Sequence, residues 1–194
     1  MRSSKYGTPQ QRIRRALDAG ASCFGQKGYF EATFDDVVRA SGLSRGSLYW
    51  YFDSKDALYD AVLEDCATRL EAAFEPGAED LAGEGPVVAR FLAGIAGDVH
   101  MHEDAYRVLY LAPRPEAAAD RLAQVTMVFV AHVRDVIAAA RRRGEIASRP
   151  DDALADILHA LAEGLVIRRL CDPTFDVARY VDTAAILMGA SDER

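Results

Sequence analysis

The 194-residue sequence has few of the features that mark secreted, membrane-spanning or disulfide-rich proteins. It has three cysteines, Cys23, Cys66 and Cys171, which lie far apart without Cys-x-x-Cys spacing. Their apolar helical surroundings predict buried, reduced thiols. The first residues contain no apolar core of a signal peptide, and no run approaches the ~18 apolar residues of a membrane-spanning helix. We therefore expect a soluble, cytoplasmic protein that does not engage a membrane.

Recognisable catalytic motifs are also missing. The sequence contains no His-Glu-x-x-His pair and no glycine-rich phosphate loop. His100 and His102, next to Glu103 and Asp104, are the best metal-ligand candidates, but histidines two positions apart share a side only on a strand. His159 as a base is the other enzymatic alternative. Because the surrounding pattern is helical, we predict that the protein is not an enzyme and has no cofactor and no metal site.

Charge is distributed unevenly along the chain. The net charge of the whole chain is −7, which by itself disfavours binding to nucleic acid. Residues 1–55 hold nine Lys and Arg against five Asp and Glu, a net charge of +4, which leaves −11 for residues 56–194. This asymmetry is typical of a small DNA-contacting module on an acidic body, although a solvated basic face has the same composition.

Apolar residues recur with the helical period of 3.6 in almost every segment, and no segment alternates as a strand does. The first helix is predicted to begin at the capping box Thr8-Pro9-Gln10-Gln11 and to end at Gly28. Thr33 and Ser44 are typical caps of the next two helices. Helices are predicted over residues 34–41, 45–52, 53–74, 86–99, 101–111, 115–143, 151–171 and 174–189.

The stretch from Thr33 to Lys55 contains two short helices joined by a tight turn at Gly42. This arrangement is typical of a helix-turn-helix, whose second helix enters the major groove of DNA. The second helix combines an arginine, a glycine and a serine with three large aromatic rings, which a short solvated helix rarely exposes. Leu48 and Phe52 are four positions apart and are predicted to face inward.

Contact with DNA explains the residue types at the remaining positions of that helix. Arg45 can donate to guanine N7 and O6, and Gly46 permits close approach of the backbone. Tyr49 and Trp50 lie off the inward face, whereas Tyr51 is ambiguous between the core and DNA. Helix N-termini near Thr33 and Lys55 attract phosphate, although a local cap alone also explains Thr33. The candidate DNA-binding residues are Thr33, Ser44, Arg45, Gly46, Ser47, Tyr49, Trp50, Tyr51 and Lys55.

At these residues the sequence resembles the TetR family of transcriptional regulators. The resemblance covers about residues 9–62 and rests on Gly28-Tyr29, on Thr33 to Val37, on the run from Ala40 to Phe52, and on Ser54-Lys55. It implies an all-α homodimer in which a three-helix helix-turn-helix domain, residues 1–55, precedes a larger helical ligand-binding and dimerisation domain, residues 56–194. It also implies a repressor that leaves its palindromic operator when a small molecule binds. The resemblance assigns phosphate contacts to Thr33, Tyr49 and Lys55, and base reading to Arg45, Gly46, Ser47 and Trp50.

The C-terminal body is less informative. Residues 151–189 are predicted to form the dimer interface, with Leu154, Ile157, Leu158, Leu161 and Leu165 as the apolar stripe of the first of its two helices. Ala160-x-x-x-Gly164 permits close approach of two backbones; the alternative is that the glycine makes room within one subunit. A largely apolar inducer cavity is expected, and a constitutive DNA-binding protein without an inducer is the alternative. Candidate ligand-binding residues are Leu70, Phe91, His100, Tyr106, Tyr110, Phe129 and His132.

Overall fold

The structure, a computed structural model, describes residues 7–74, 84–112, 117–146, 153–177, 179–180 and 183. It is all-α in this part of the chain, where no strand occurs, as the apolar periodicity predicts. The predicted helix 174–189 lies mostly outside the described residues. The helices are α1 (Pro9–Glu31), α2 (Phe34–Ser41), α3 (Arg45–Tyr51), α4 (Lys55–Phe74), α5 (Val87–Met101), α6 (Glu103–Tyr106), a π-helical turn (Arg107–Leu111), α7 (Ala117–Arg142) and α8 (Ala153–Cys171).

Helix α1 begins at the predicted capping box. The Thr8 hydroxyl accepts from the Gln11 N–H at 3.3 Å, and the Gln11 side chain accepts from the Thr8 N–H at 2.8 Å. The predicted end at Gly28 is only partly correct. Gly28 adopts φ +75°, which breaks the helical path, but the chain resumes helical geometry as far as Glu31. The glycine is therefore a kink within α1, since the short segment after it still turns as a helix.

The two helices of the helix-turn-helix begin where the sequence predicts, and α3 ends at Tyr51, one residue before its predicted end. Thr33 caps α2 in a reciprocal box with Asp36, and Gly42 ends the helix in the left-handed conformation at φ +64°. The Ser44 hydroxyl then accepts from the Ser47 N–H at 3.1 Å and starts α3. Each of these signals acts within three residues of its own position, so the local sequence is sufficient to place them.

The chain divides into two compact units. The first comprises residues 1–69 and 104–123, and the second comprises residues 70–103 and 124–194. Within the first unit α1 packs against α2 and against the π-helical turn. A Cβ added to Gly20 of α1 would lie 2.6 Å from Val62 Cγ2 of α4, so the absence of a side chain there lets these two helices approach closely. The predicted boundary after residue 55 stays a prediction.

In the core of the second unit α5 and α7 each bury an apolar face, whereas α8 differs from its predicted stripe. Leu158 and Leu165 of α8 are buried as predicted, whereas Ile157 is 61% exposed and Leu161 is only partly covered. The buried face instead continues through Ala162 and other residues one position away, because small side chains allow close packing against α5. The buried residues of α8 are Ala155, Leu158, Ala162, Leu165, Val166 and Leu170.

The three cysteines differ in environment. Cys66 is buried as predicted, and burial raises the pKa of its thiol to about 11. Cys23 is half-buried, and Cys171 is exposed. The prediction of a buried thiol is therefore wrong for Cys171, because this residue is the last of α8 and has left the apolar face of the helix.

One described segment, Ala119–Arg142 of α7, is long and apolar enough to cross a membrane by length and composition alone. Arg134 and Asp135 interrupt its apolar run, which is why no uninterrupted stretch of membrane-spanning length occurs in the sequence, yet its mean hydropathy is 1.4. Core helices of soluble proteins pass the same test. In α7 the buried residues Val125, Phe129 and Val133 recur every four positions, the spacing of a helix that buries one face.

Candidate nucleic-acid interface

Helix α3 separates its side chains into a buried face and an open face. Leu48 is fully buried and Phe52, just beyond the helix, is 8% exposed, as predicted. Trp50 is 83% exposed and Tyr49 is 42% exposed, while Tyr51 is half-buried. A tryptophan that exposes nearly all of its surface costs hydration free energy in the isolated chain, which is typical of a residue that awaits a partner.

The start of α3 leaves backbone accessible beside polar side chains. Ser44, Arg45 and Gly46 are exposed, and Ser47 is half-buried. A Cβ added to Gly46 would meet no described atom within 4 Å, so this backbone is open to an approaching molecule. The arrangement presents one guanidinium, two hydroxyls and bare backbone on a single short helix.

Contacts with α2 hold the Arg45 side chain in place. Arg45 Nη1 lies 3.2 Å from Asp35 Oδ2, and its guanidinium carbon lies 5.7 Å from the centre of the Tyr49 ring. The Tyr49 ring stacks on Phe34, with ring centres 4.3 Å apart. Hydrogen bonding to Tyr49, and then the charge of Asp35, raise the pKa of Arg45. The guanidinium therefore has two neighbours within the same protein, the Asp35 carboxylate and the Tyr49 ring, before any ligand arrives.

The cap of α2 is reinforced by charge. Asp36 accepts from Thr33 and forms ion pairs with Lys27, at 2.9 Å, and with Arg39. Lys27, followed by Thr33, holds the pKa of Asp36 well below its ordinary range. The exposed Thr33 hydroxyl donates to Asp36 Oδ2 at 2.8 Å and accepts from the Asp36 N–H at 3.1 Å. Thr33 is thus engaged in the cap, which is the alternative that the sequence left open.

Lys55 has a structural role that the sequence did not indicate. Its Nζ donates to the backbone carbonyls of Tyr29, at 3.0 Å, and Ala32, at 3.3 Å, and lies 4.4 Å from the centre of the Tyr29 ring. The Tyr29 hydroxyl donates to Asp56, and this bond raises the pKa of Tyr29 to about 12. The first turn of α4 therefore anchors the C-terminal end of α1, where carbonyl groups otherwise lack partners.

The second unit contains a cavity of about 250 Å³. Two of the predicted ligand-binding residues, Phe91 and His132, line it. Phe129 contacts the ring of Phe91, at 5.8 Å between centres, and Leu70 is fully buried without lining the cavity. The cavity is also lined by residues that were not among the predicted ligand-binding residues. The complete lining is Ala73, Phe74, Val87, Arg90, Phe91, Gly94, Ile95, Asp98, His132 and Val136.

The other predicted ligand residues lie elsewhere. His100 is exposed and does not line the cavity. Tyr106 is buried and Tyr110 is half-buried, and both belong to the first unit. Helical periodicity shows that such residues are polar members of helices, but it does not show which cavity they face.

A shallow groove runs along the exposed side of α8. Leu161, Gly164 and Arg168 line it together with Phe175 and Tyr180. A Cβ added to Gly164 would meet no described atom within 4 Å, so this glycine does not make room for another described side chain of the same subunit. Among the described residues no three His, Cys, Asp or Glu side chains are grouped as a metal site requires.

Comparisons with known proteins agree with this geometry. Residues 16–62 match the sequence profile of the family described as bacterial regulatory proteins, tetR family. The chain is 28% identical over 170 residues to the HTH-type transcriptional repressor Rv1474c of Mycobacterium tuberculosis, which covers 81% of each protein. It is 36% identical over 63 residues to the HTH-type transcriptional regulator SrpR of Pseudomonas putida, covering 32% of this chain and only 30% of that regulator.

The fold is likewise that of known regulators. The crystal structure of a TetR-family regulator from Rhodococcus sp. superimposes with a TM-score of 0.69 at 27% identity, covering 93% of this chain and all of that one. Residues 16–62, which match the family profile, contain α2, α3, the caps at Thr33 and Ser44, and the anchor residue Lys55. Residues 16–62 therefore match the sequence profile of the tetR family, and the chain as a whole is similar to a transcriptional repressor and to a TetR-family regulator.

Proposed function

We propose that this chain is a repressor that binds a palindromic operator as a homodimer and leaves it when a small, largely apolar inducer binds. The open face of α3 carries the proposal, since Arg45 and Trp50 are exposed there while Leu48 holds the helix in the core. The relative from M. tuberculosis, similar over four-fifths of both chains, is a repressor by name. The head would be residues 1–55, the body residues 56–194, and the site of action the cytoplasm.

Two kinds of contact account for binding to DNA. Arg45, Gly46, Ser47 and Trp50 face the bases, and Tyr51 lies at their border. Thr33, Tyr49 and Lys55 contact phosphates, which position the head without reading sequence, and Ser44 faces DNA at the start of α3. Half-sites lie about 34–36 Å apart, or a multiple of that, because both recognition helices of a dimer must enter the same side of the duplex.

The test of DNA binding uses the full chain and a randomised duplex library. Selection recovers an inverted repeat, and Arg45→Ala weakens binding to it by about 1–3 kcal/mol and relaxes the preference at one position in each half-site. Trp50 is the sole tryptophan, so its fluorescence changes on binding to the selected duplex. Recovery of no sequence from the library contradicts the proposed function.

The dimer is proposed to form through residues 151–189. The groove at Leu161 and Gly164 is open along α8, and Ile157 is exposed on the same helix. Leu161→Glu places a charge in this face, so we expect a monomer by sedimentation, with the helical content of the head retained and operator affinity lost. A monomeric wild-type chain contradicts this part of the proposal.

The cavity of the second unit is proposed to hold the inducer. Its lining combines Phe74, Phe91 and other apolar side chains with Arg90, Asp98 and His132, which suits a small apolar molecule with one or two polar groups. Helix α4 starts at Lys55 in the first unit and ends with cavity residues Ala73 and Phe74 in the second. A ligand that displaces this end of α4 changes the placement of its other end, and typical coupling of about 1–3 kcal/mol changes operator affinity roughly 5–150-fold.

Gly94 offers a way to test the inducer site. It lines the cavity, and a Cβ added there would meet no described atom within 4 Å. Gly94→Leu fills the cavity, so we expect it to mimic or block the response to inducing compounds without changing Arg45-dependent base preference. The assay measures affinity for the selected duplex across a panel of hydrophobic compounds. If neither compounds nor Gly94→Leu change that affinity, the constitutive alternative is correct.

A further inference from the structure

The acidic residue Asp35 lies beside Arg45, the residue that is proposed to read a base. Asp35 of α2 pairs with Arg45 of α3 at 3.2 Å, and the two side chains are 55% and 61% exposed. An exposed ion pair contributes little to the stability of a fold. A carboxylate on a surface that approaches DNA also repels phosphates, so its position there requires another reason.

The contacts of Arg45 indicate that reason. Its guanidinium contacts both the Asp35 carboxylate and the Tyr49 ring, and that ring is stacked on the buried Phe34. A guanidinium has five N–H donors in a rigid fork, and a bidentate contact with guanine uses only two of them. The Arg45 side chain therefore has enough donors to keep its bond to Asp35 while it reads a guanine.

Contact with a phosphate has a different outcome. A phosphate that draws Arg45 away breaks the pair with Asp35, and a phosphate that comes to Arg45 in place meets the negative charge of Asp35. Asp36, the neighbouring acid, differs because Lys27 and Arg39 both pair with it. The charge of Asp35 thus opposes the use of Arg45 on phosphates and leaves its use on bases intact.

We propose that Asp35 is a specificity-determining residue that fixes Arg45 for base reading and penalises its binding to phosphate. This proposal rests on the proposed function. Removal of the carboxylate strengthens binding to duplexes of arbitrary sequence more than binding to the operator. The ratio of specific to non-specific affinity therefore falls.

The test compares Asp35→Asn with Asp18→Asn in the full-length chain. Asp18 is a matched control, since it is also 55% exposed, pairs with an arginine, Arg14, at 2.9 Å, and loses the same charge. Binding is measured by anisotropy of two labelled duplexes, the one selected by the wild-type chain and a shuffled duplex of equal composition. We expect Asp35→Asn to lower the affinity ratio about two- to fivefold relative to Asp18→Asn, the range of an exposed ion pair. In an Arg45→Ala background, Asp35→Asn leaves the ratio unchanged.

Two results overturn the proposal. One is that Asp35→Asn and Asp18→Asn change both affinities by the same factors, so that only net charge matters. The other is that Asp35→Asn lowers the ratio equally when Arg45 is absent. Asp35→Glu keeps the charge and must keep the wild-type ratio, which separates loss of the carboxylate from damage to α2. Failure of the wild-type chain to discriminate any duplex refutes the proposed function itself and is distinguishable from both.

Discussion

Replacement of Lys55 by methionine separates two roles at the start of α4. The change keeps most of the aliphatic stem but removes the ammonium, and with it two hydrogen bonds to the carbonyls of Tyr29 and Ala32 and the contact with the Tyr29 ring. Hydrogen bonds to charged groups contribute about 1.5–3 kcal/mol each in favourable cases, and an exposed cation–π contact about 0.5–1 kcal/mol. Since Lys55 is only half-buried, we expect a loss of about 1–2 kcal/mol of unfolding free energy in total.

Urea unfolding followed by helical circular dichroism measures this loss. Tyr29→Phe is the control, because it retains the ring and the carbonyl and loses only the hydroxyl that donates to Asp56. The proposed phosphate contact has a separate signature. Each phosphate contact contributes about 0.9 to the slope of log affinity against log salt, so Lys55→Met flattens the slope by about 2 for a dimer.

The two readouts are independent. An unchanged unfolding midpoint for Lys55→Met refutes the reasoning that this side chain anchors α1. A weaker affinity with an unchanged salt slope instead shows that Lys55 positions the head without touching phosphate.

Three further variants test packing, backbone access and charge. Gly20→Ala lowers the unfolding free energy by about 1–3 kcal/mol, because its Cβ would lie 2.6 Å from Val62 Cγ2; unchanged urea unfolding contradicts the close approach of α1 and α4. Gly46→Ala raises helix stability by up to about 1 kcal/mol but weakens binding to the selected duplex; tighter binding contradicts the role of bare backbone. Asp36→Asn removes a group whose folded pKa lies below its ordinary value of 3.8, so its stabilisation is complete above about pH 5 and is lost as the pH falls. The variant is less stable at pH 7 and changes less in stability between about pH 5 and pH 2; an acid transition identical to that of the wild type contradicts the assignment.

The parts of the fold that depend on local chemistry could be predicted from the sequence. The caps at Thr8, Thr33 and Ser44 and the left-handed Gly42 act within three residues, so each signal is complete in the sequence itself. Gly28 was only half predicted, because a glycine with positive φ permits both a helix end and a kink, and the local sequence does not decide between them.

Contacts between distant residues could not be predicted in this way. The acceptors of Lys55 lie 23 and 26 residues earlier in the chain, and Asp35 precedes Arg45 by ten. Periodicity likewise identifies an apolar face on α8 without showing that Ile157 belongs to the exposed side. The same limit applies to the cavity, whose lining joins residues from α4, α5 and α7.

Helix α3 is held in the core by few buried side chains, and this has a consequence for how related chains diverge in the sequences they bind. Of its seven residues only Leu48 is buried, so most substitutions on this helix remove no core packing and change stability little. Under the proposed function, new operator preferences can therefore arise by single substitutions at Arg45, Ser47 or Trp50 without intermediate forms that fail to fold. After gene duplication, copies of such a chain can acquire separate target sites while the remaining scaffold stays the same, and a designer can retarget it by the same route.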